Sequence, residues 1–228
     1  MTRVLLVVTG HGKLGSLDRP TGWYLPEVAH PYHEFKKAGY EIVFASPLGG
    51  KTPMDPSSYN EESDEISKEF IKSDAFKQLE TTKPVTECKA ADYDLIFLAG
   101  GHGTVFDFPD DKNLATLIAK IYDKGGYVAA VCHGPIGLIN VKLGNGEYLL
   151  KDKAVTGFSN EEEDAAGLTT VVPSLEDAMK ARGGKYVPAS PMFTPQIRAD
   201  NRLFTGANPA SASALAEEIV RTIASASK

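Results

Sequence analysis

An α/β fold organised around a mostly parallel sheet is what this chain predicts, and three observations carry the expectation. Short apolar runs rich in Val, Ile and Leu recur at 3–9, 41–46, 94–100 and 127–131, too continuous for half-exposed strands. Segments of helical period separate them, as crossovers between parallel strands require. The 228 residues, 42% apolar and 24% charged, suffice for one sizeable core, so 1–228 is read as a single domain.

The first run, "RVLLVVT", ends in "GHG" with His11. The segment "GHGKLG" (10–15) imitates a dinucleotide fingerprint, but Pro20 and Gly22 interrupt the helix that should open there. The second run also ends in "ASPLGG", with no acid for a ribose, so no nucleotide cofactor is expected. Next comes "GWYLPEVAHPYHEFKKAGY" (22–40), where Pro26 suits a first helical turn and Glu27 and His30, three apart, share a face. Glu27 is either a first-turn acid favoured by the helix dipole or a functional group, and His30 either packs or binds. Pro31 predicts a kink or a restart. His33 and Glu34 read as solvent-side residues.

Residues 47–92, rich in Pro, Ser, Asp and Glu with one helix expected around Asp64 to Leu79, are long for a connection and read as a cap or lid. The run at 94–100 leads into "GGHG" with His102. Leu114, Leu117, Ile118, Ile121 and Tyr122 then repeat at helical spacing before "KGG", which completes a βαβ unit with 127–131. Strands are expected at 153–158 and 185–189, two more about an Asp-Asn turn within 196–206, and a last helix from Pro209 to Ala226.

Charge and cysteine content exclude several classes. A net charge of −6 without a basic stripe gives no footprint for nucleic acid. The apolar stretch at the N-terminus is too short for a signal core or a membrane span, which predicts a cytoplasmic, soluble protein. Two cysteines, Cys88 and Cys132, lack zinc-type spacing and suggest neither a disulfide framework nor a cysteine metal site. Cys88 lies in the polar stretch "TECKAADYD" and reads as incidental.

Ligand crevices in open α/β sheets lie beyond the carboxyl ends of the strands. There the sequence places His11, His102, and the pair Cys132 and His133, three of the five histidines with one thiol. A strand running into a Cys and then Gly-Pro fits a nucleophile elbow, although GxSxG spacing is absent. At the start of a following helix the sulfur would be favoured as thiolate, and backbone N–H groups there and in "AGGHG" would hold an oxyanion. The bland reading is a buried small hydrophobe, for which His133 and the glycines are poor surroundings. An acid in "SNEEED" (159–164) would serve to orient a histidine. A metal on His11, His102 and Glu27 is conceivable but not expected, since histidines on such a rim more often hydrogen-bond.

With these residues in place, the chain resembles the ThiJ/PfpI superfamily of flavodoxin-like cysteine proteins, nearest the glutathione-independent glyoxalase (glyoxalase III) and heat-shock-protein-thirty-one-like branch. The motifs are "PEVAHP" (26–31), "AGGHGTVFDFP" (99–109), "AAVCHGP" (129–135), "TGFSNEEE" (156–163) and "LFTGANPASA" (203–212). The resemblance implies a flavodoxin-like three-layer sandwich with Cys132 as nucleophile, His133 as the adjacent triad histidine and Glu27 as the acid beside the sulfur. Glu163 matches the triad acid, with Glu161, Glu162 and Asp164 within one turn of it. Gly101 and the His133 backbone match the oxyanion donors, and His102, His11 and His30 are expected to line the substrate site. It further implies a homodimer with no cofactor or metal, acting on small 2-oxoaldehydes such as methylglyoxal and glyoxal in reactive-carbonyl stress.

Three functional classes compete. A glyoxalase III-type lyase would convert methylglyoxal to lactate through a Cys132 hemithioacetal. A stress chaperone, or a deglycase of proteins and nucleotides, would act on unfolded or glycated partners and would need an exposed apolar patch. An amidotransferase is disfavoured because no histidine follows His133, and a cysteine peptidase because the 47–92 segment would hinder long chains.

Overall fold

In the computed structural model, which describes residues 1–226, the chain runs in alternating strands and helices. Its first half contains β1 (Arg3–Val7), α1 (Leu25–Lys37), β2 (Glu41–Ser46), α2 (Glu65–Lys72), α3 (Asp74–Gln78), β3 (Lys83–Pro84), β4 (Leu95–Leu98), α4 (Thr104–Asp107), α5 (Lys112–Asp123) and β5 (Tyr127–Val131). Its second half adds β6 (Ala154–Val155), α6 (Asn160–Ala165), α7 (Leu175–Ala181), β7 (Lys185–Tyr186), β8 (Ile197–Asp200), β9 (Leu203–Gly206) and α8 (Ala212–Ala226).

Seven strands form one sheet in the order β3-β2-β1-β4-β5-β9-β8, parallel throughout except for β8 on the edge; β6 and β7 make a separate parallel pair. Every residue of β4 and β9, and nearly all of β1 and β5, is buried, which is why these strands read as unbroken apolar runs. The crossover through α1 leads from β1 to one side and the crossover through α5 leads from β4 to the other. Right-handed connections therefore put the two helices on opposite faces. α1 packs on β2 and α8, while α5 packs on β4 and β5. One apolar cluster runs from Val4 to Ile223.

The register aligns the carboxyl ends. Val7 sits beside Leu98, Leu98 beside Ala130, and Val131 beside Gly206. The loops after β1, β4, β5 and β9 thus leave from one edge, around the point where strand order reverses between β1 and β4.

Several expected elements change length or shape. The runs at 3–9, 94–100, 153–158 and 185–189 contribute strands only over Arg3–Val7, Leu95–Leu98, Ala154–Val155 and Lys185–Tyr186, the rest being loop. The helix expected over 64–79 is two helices, because Ser73 closes α2 and caps α3, its hydroxyl accepting the Phe76 N–H at 3.3 Å. Pro31 does not restart α1, which is continuous across it. The missing N–H is outweighed by a face bearing Val28, Ala29 and Phe35 that is wholly buried. Residues 47–92 add β3 to the sheet and lay α2 on α1. They also clasp the start of α1: Trp23 N–H donates to the Pro53 carbonyl at 2.9 Å, and the Trp23 indole donates to Thr52 Oγ1 at 3.1 Å.

Candidate active site

β5 delivers Cys132 onto a sharp bend with φ of 59°, a left-handed conformation that costs a non-glycine residue about 1–3 kcal/mol. Both of its backbone groups are tied down. The Cys132 N–H donates to the Gly206 carbonyl and the Phe158 N–H donates to the Cys132 carbonyl, each at 2.9 Å. The sheet and the loop carrying Phe158 thereby hold the strain that aims the sulfur. Beyond the bend the chain makes a 3₁₀ turn over Gly134–Leu138, shorter than the helix expected there.

On one side of the sulfur stands a chain of polar groups. Cys132 Sγ lies 3.4 Å from His133 Nδ1, and His133 Nε2 lies 2.6 Å from Glu163 Oε2. The other oxygen of Glu163 is 2.8 Å from His102 Nε2, and the two imidazole rings are 4.1 Å apart. Phe158 covers His133 at 4.6 Å between centroids. Glu163 is set by α6, whose N-terminus is a capping box: the Ser159 hydroxyl accepts the Glu162 N–H, and the Glu162 side chain accepts the Ser159 N–H.

These contacts determine the proton states. Burial alone would raise the Glu163 carboxyl, but the hydrogen bonds from His102 and His133 prevail and hold it down at about 2. Burial, helped by His102, brings His133 down to about 4 against the pull of Glu163. A neutral His133 that donates from Nε2 to a carboxylate leaves Nδ1 unprotonated and facing the thiol, as a general base must be.

The other side of the sulfur holds a second acid in the opposite state. Glu27 is fully buried, and its Oε2 accepts the Gly100 N–H at 2.7 Å. Its carboxyl also bonds to the Cys132 side chain, while Oε1 has no ordinary hydrogen-bond geometry to any described group. Burial raises Glu27 to about 8, against the lowering bonds from Cys132 and Gly100, so it carries a proton at neutral pH. Gly100 makes this approach feasible, since a Cβ there would lie 2.3 Å from Glu27 Oε2 and 2.9 Å from Cys132 Cβ.

The expected resting thiolate is corrected. Burial pushes the Cys132 thiol well above its ordinary value, the neighbouring Glu27 carboxyl and the charge of Glu163 push the same way, and only the His133 backbone N–H opposes them. A short 3₁₀ turn does not supply the dipole that an α-helix would. Cys132 is 4% exposed and borders the apolar core, yet its sulfur also meets the Glu27 carboxyl and the imidazole and backbone N–H of His133. At Gly101, φ of 103° turns the backbone tightly, and none of the hydrogen bonds among the described residues takes its N–H, which leaves a donor for an oxyanion.

The structure gathers Cys132, His133, Glu163, Glu27 and His102, and leaves two expected residues elsewhere. His11 stacks on Phe106 at 4.7 Å with Nε2 against the Lys13 carbonyl at 2.6 Å. His30 reaches the Ser213 hydroxyl with Nδ1 at 2.6 Å and Asp64 with Nε2 at 3.0 Å, tying α1 to α8 and to the start of α2. His102 supports Glu163 through Nε2.

The metal set conceivable from sequence, His11, His102 and Glu27, does not assemble. Among the described residues, His102, His133 and Glu163 alone have donor atoms within 4.8 Å of one another. A metal there would suit the nitrogen and oxygen donors, but each histidine nitrogen aimed at Glu163 is already engaged with it.

Tyr24 is a site residue that sequence reasoning missed. Burial first, then coupling to Glu27 and Cys132, raise its phenol, so its ionisation is tied to the groups of the site. The signal was its position three residues before Glu27, whose N–H donates to the Tyr24 carbonyl at 3.1 Å.

Known proteins share this arrangement of elements. Over residues 22–164 the sequence matches the DJ-1/PfpI family. It is 34% identical to Glyoxalase 3 of Candida albicans, across 96% of this chain and 98% of that protein. It is 37% identical to the Glutathione-independent glyoxalase HSP31 of Saccharomyces cerevisiae, across 92% of this chain and 93% of that one. The fold superposes on the crystal structure of Candida albicans glyoxalase III with a TM-score of 0.90 at 33% identity, covering 96% of each chain. With the Rapid Encystment Protein 24 kDa of Francisella tularensis the TM-score is 0.93 at 39% identity, over 98% of this chain and 99% of that one. A buried parallel sheet delivering a strained cysteine beside a histidine, with matching sequence on both sides of it, makes this chain a member of the DJ-1/PfpI family.

Proposed function

We infer that this chain is a glutathione-independent glyoxalase that converts methylglyoxal to lactate on Cys132. The observation that carries the reading is the Cys132–His133–Glu163 chain, with the protonated Glu27 carboxyl against the other side of the sulfur. As Cys132 attacks the aldehyde carbon, its S–H proton passes to His133 Nδ1, and the new oxyanion faces the Gly101 and His133 amides. The Glu27 carboxyl donates to that oxygen and gives the neutral hemithioacetal. His133 passes its proton through the new hydroxyl to the Glu27 carboxylate, then removes the hydrogen from C1 while Glu27 protonates the ketone oxygen, which gives an enediol. Protonation at C2 gives the lactoyl thioester. Water cleaves the C–S bond, releasing lactate and the thiol. The aldehyde carbon is oxidised and the ketone carbon reduced within one molecule, so no external oxidant or reductant enters.

In this reading residues 47–92 cap the site through Asp55, whose N–H donates to the Trp23 carbonyl at 2.8 Å and whose Oδ2 accepts the Thr21 hydroxyl at 2.9 Å. The protein works in the cytoplasm as a homodimer. Among the described residues no helix is long and apolar enough to cross a membrane. The test is lactate production from methylglyoxal without glutathione. Wild type turns it over, and Cys132→Ser lowers kcat at least about a thousandfold. An inactive wild type, or a serine variant that keeps its rate, defeats the reading.

A further inference from the structure

The second strained residue of interest lies outside the triad. Phe193 has φ of 60° and a side chain 49% exposed, so a large aromatic is held out toward solvent on backbone that disfavours it. Such a conformation persists only where the surroundings over-determine it. Here they do. The Phe193 N–H donates to Glu162 Oε1 at 2.8 Å, and Asn208 Nδ2 donates to that same oxygen at 2.8 Å and to the Thr194 carbonyl at 2.9 Å. Glu162 is fully buried, and its other oxygen closes the capping box of α6, the helix that sets Glu163. One carboxylate therefore fixes both the acid of the triad and the bend that presents Phe193.

The rings form a path from the reacting groups to solvent. His133 lies 4.6 Å from Phe158, and Phe158 lies 6.1 Å from Phe193, with tilted geometry at both steps. Phe193 is thus the second ring out from the catalytic imidazole, beyond Phe158, with half of its surface exposed. Offset and tilted aromatic pairs gain from ring contact beyond simple burial, so a third ring would be received there.

We propose that Phe193 is a specificity-determining residue whose exposed face receives the C2 substituent of the substrate and favours 2-oxoaldehydes bearing an aryl or bulky apolar group. The proposal rests on the reading of Cys132 given above. The hydrogen-bonded bend, and not the ring alone, is what makes the wall rigid enough to discriminate.

The experiment compares kcat/KM for glyoxal, methylglyoxal and phenylglyoxal in wild type, Phe193→Gly and Phe193→Tyr. Glycine adopts this φ freely, so the first variant removes the ring without added backbone strain; thermal unfolding checks that it folds. The expected result is that the phenylglyoxal-to-glyoxal ratio falls about tenfold in Phe193→Gly, with methylglyoxal between, and returns toward wild type in Phe193→Tyr. A ratio within about twofold of wild type in a folded Phe193→Gly overturns the specificity role while the Cys132 chemistry stands. Failure of the wild type to consume any of the three overturns both.

Discussion

Glu27 and Glu163 are buried glutamates tied to one sulfur, the first directly and the second through His133, and they hold opposite proton states. Glu27 gives one oxygen to an amide, pairs with no cation among the described residues, and stays protonated up to about 8 because burial dominates. Glu163 gives each oxygen to a histidine, and those bonds keep it ionised down to about 2. Residue type is the same, so partners decide the role: a carboxyl that can donate and a carboxylate that fixes a tautomer. The difference also separates the two groups thermodynamically, because each makes stability depend on pH with its own sign.

Breaking the ionised side produces the larger loss. Glu163→Gln removes the charge that selects the His133 tautomer, and the amide NH₂ can turn toward Nε2 and leave the proton on Nδ1. We expect kcat to fall about a hundred- to a thousandfold. The native carboxyl lies below its ordinary value of 4.5, so its contribution is present above pH 4.5 and is lost as pH falls from there toward about 2. His133 acts with the same sign, since it is buried neutral and must be charged in acid. Urea unfolding of Glu163→Gln between pH 4.5 and about 2, where the native carboxyl titrates, is expected to show a flatter slope than wild type; an unchanged slope and rate would mean that the contact is packing alone.

Breaking the protonated side costs less and reverses the sign. Glu27→Gln keeps a donor and an acceptor in place but cannot transfer a proton, and kcat is expected to drop about ten- to a hundredfold. The native carboxyl is raised from 4.5 to about 8, so the unfolded chain releases this proton first. Each pH unit between about 4.5 and about 8 then removes about 1.4 kcal/mol of relative stability, and Gln at this position should be the more stable protein at pH 8. The wild-type rate should fall above about pH 8, where ionised Glu27 faces the sulfur, and below about pH 4, where His133 is protonated. An alkaline limb that survives in Glu27→Gln would assign it to another group.

The sequence displays one half of this comparison better than the other. A strand buried on both faces leaves an unbroken apolar run, so β5 and the corner at Cys132 can be read from "YVAAVCHGP". The partnership of His102 and Glu163 spans 61 residues and depends on where α6 docks, which no local pattern encodes. Glu27 can be placed on a helix face, but a first-turn acid and a buried proton donor look identical until burial is known. The thiol's protonation is misread for the same reason: spacing predicts a helix start, whereas desolvation decides the outcome. Pro31 misleads in the other direction, because tertiary packing of α1 overrides a local breaker.

The smallest expected effect on turnover sharpens the boundary of the site. Glu27 and His30 sit three residues apart on α1, and sequence alone treats them as one functional face. The structure divides them: Glu27 meets the sulfur, while His30 bridges Ser213 of α8 and Asp64 at the start of α2. His30→Gln should therefore leave kcat within about twofold and act on stability instead. Losing one part-buried hydrogen bond to Ser213 and the contact with Asp64 costs about 1 kcal/mol, or a Tm lower by about 2–4 °C in a chain of this size. The α1–α2 packing would loosen with it, which amide exchange in α2 can track. If His30→Gln depressed kcat as far as Glu27→Gln while Tm held, the division of α1 would be wrong, and the imidazole would have to reach the substrate by a movement of α2 away from it.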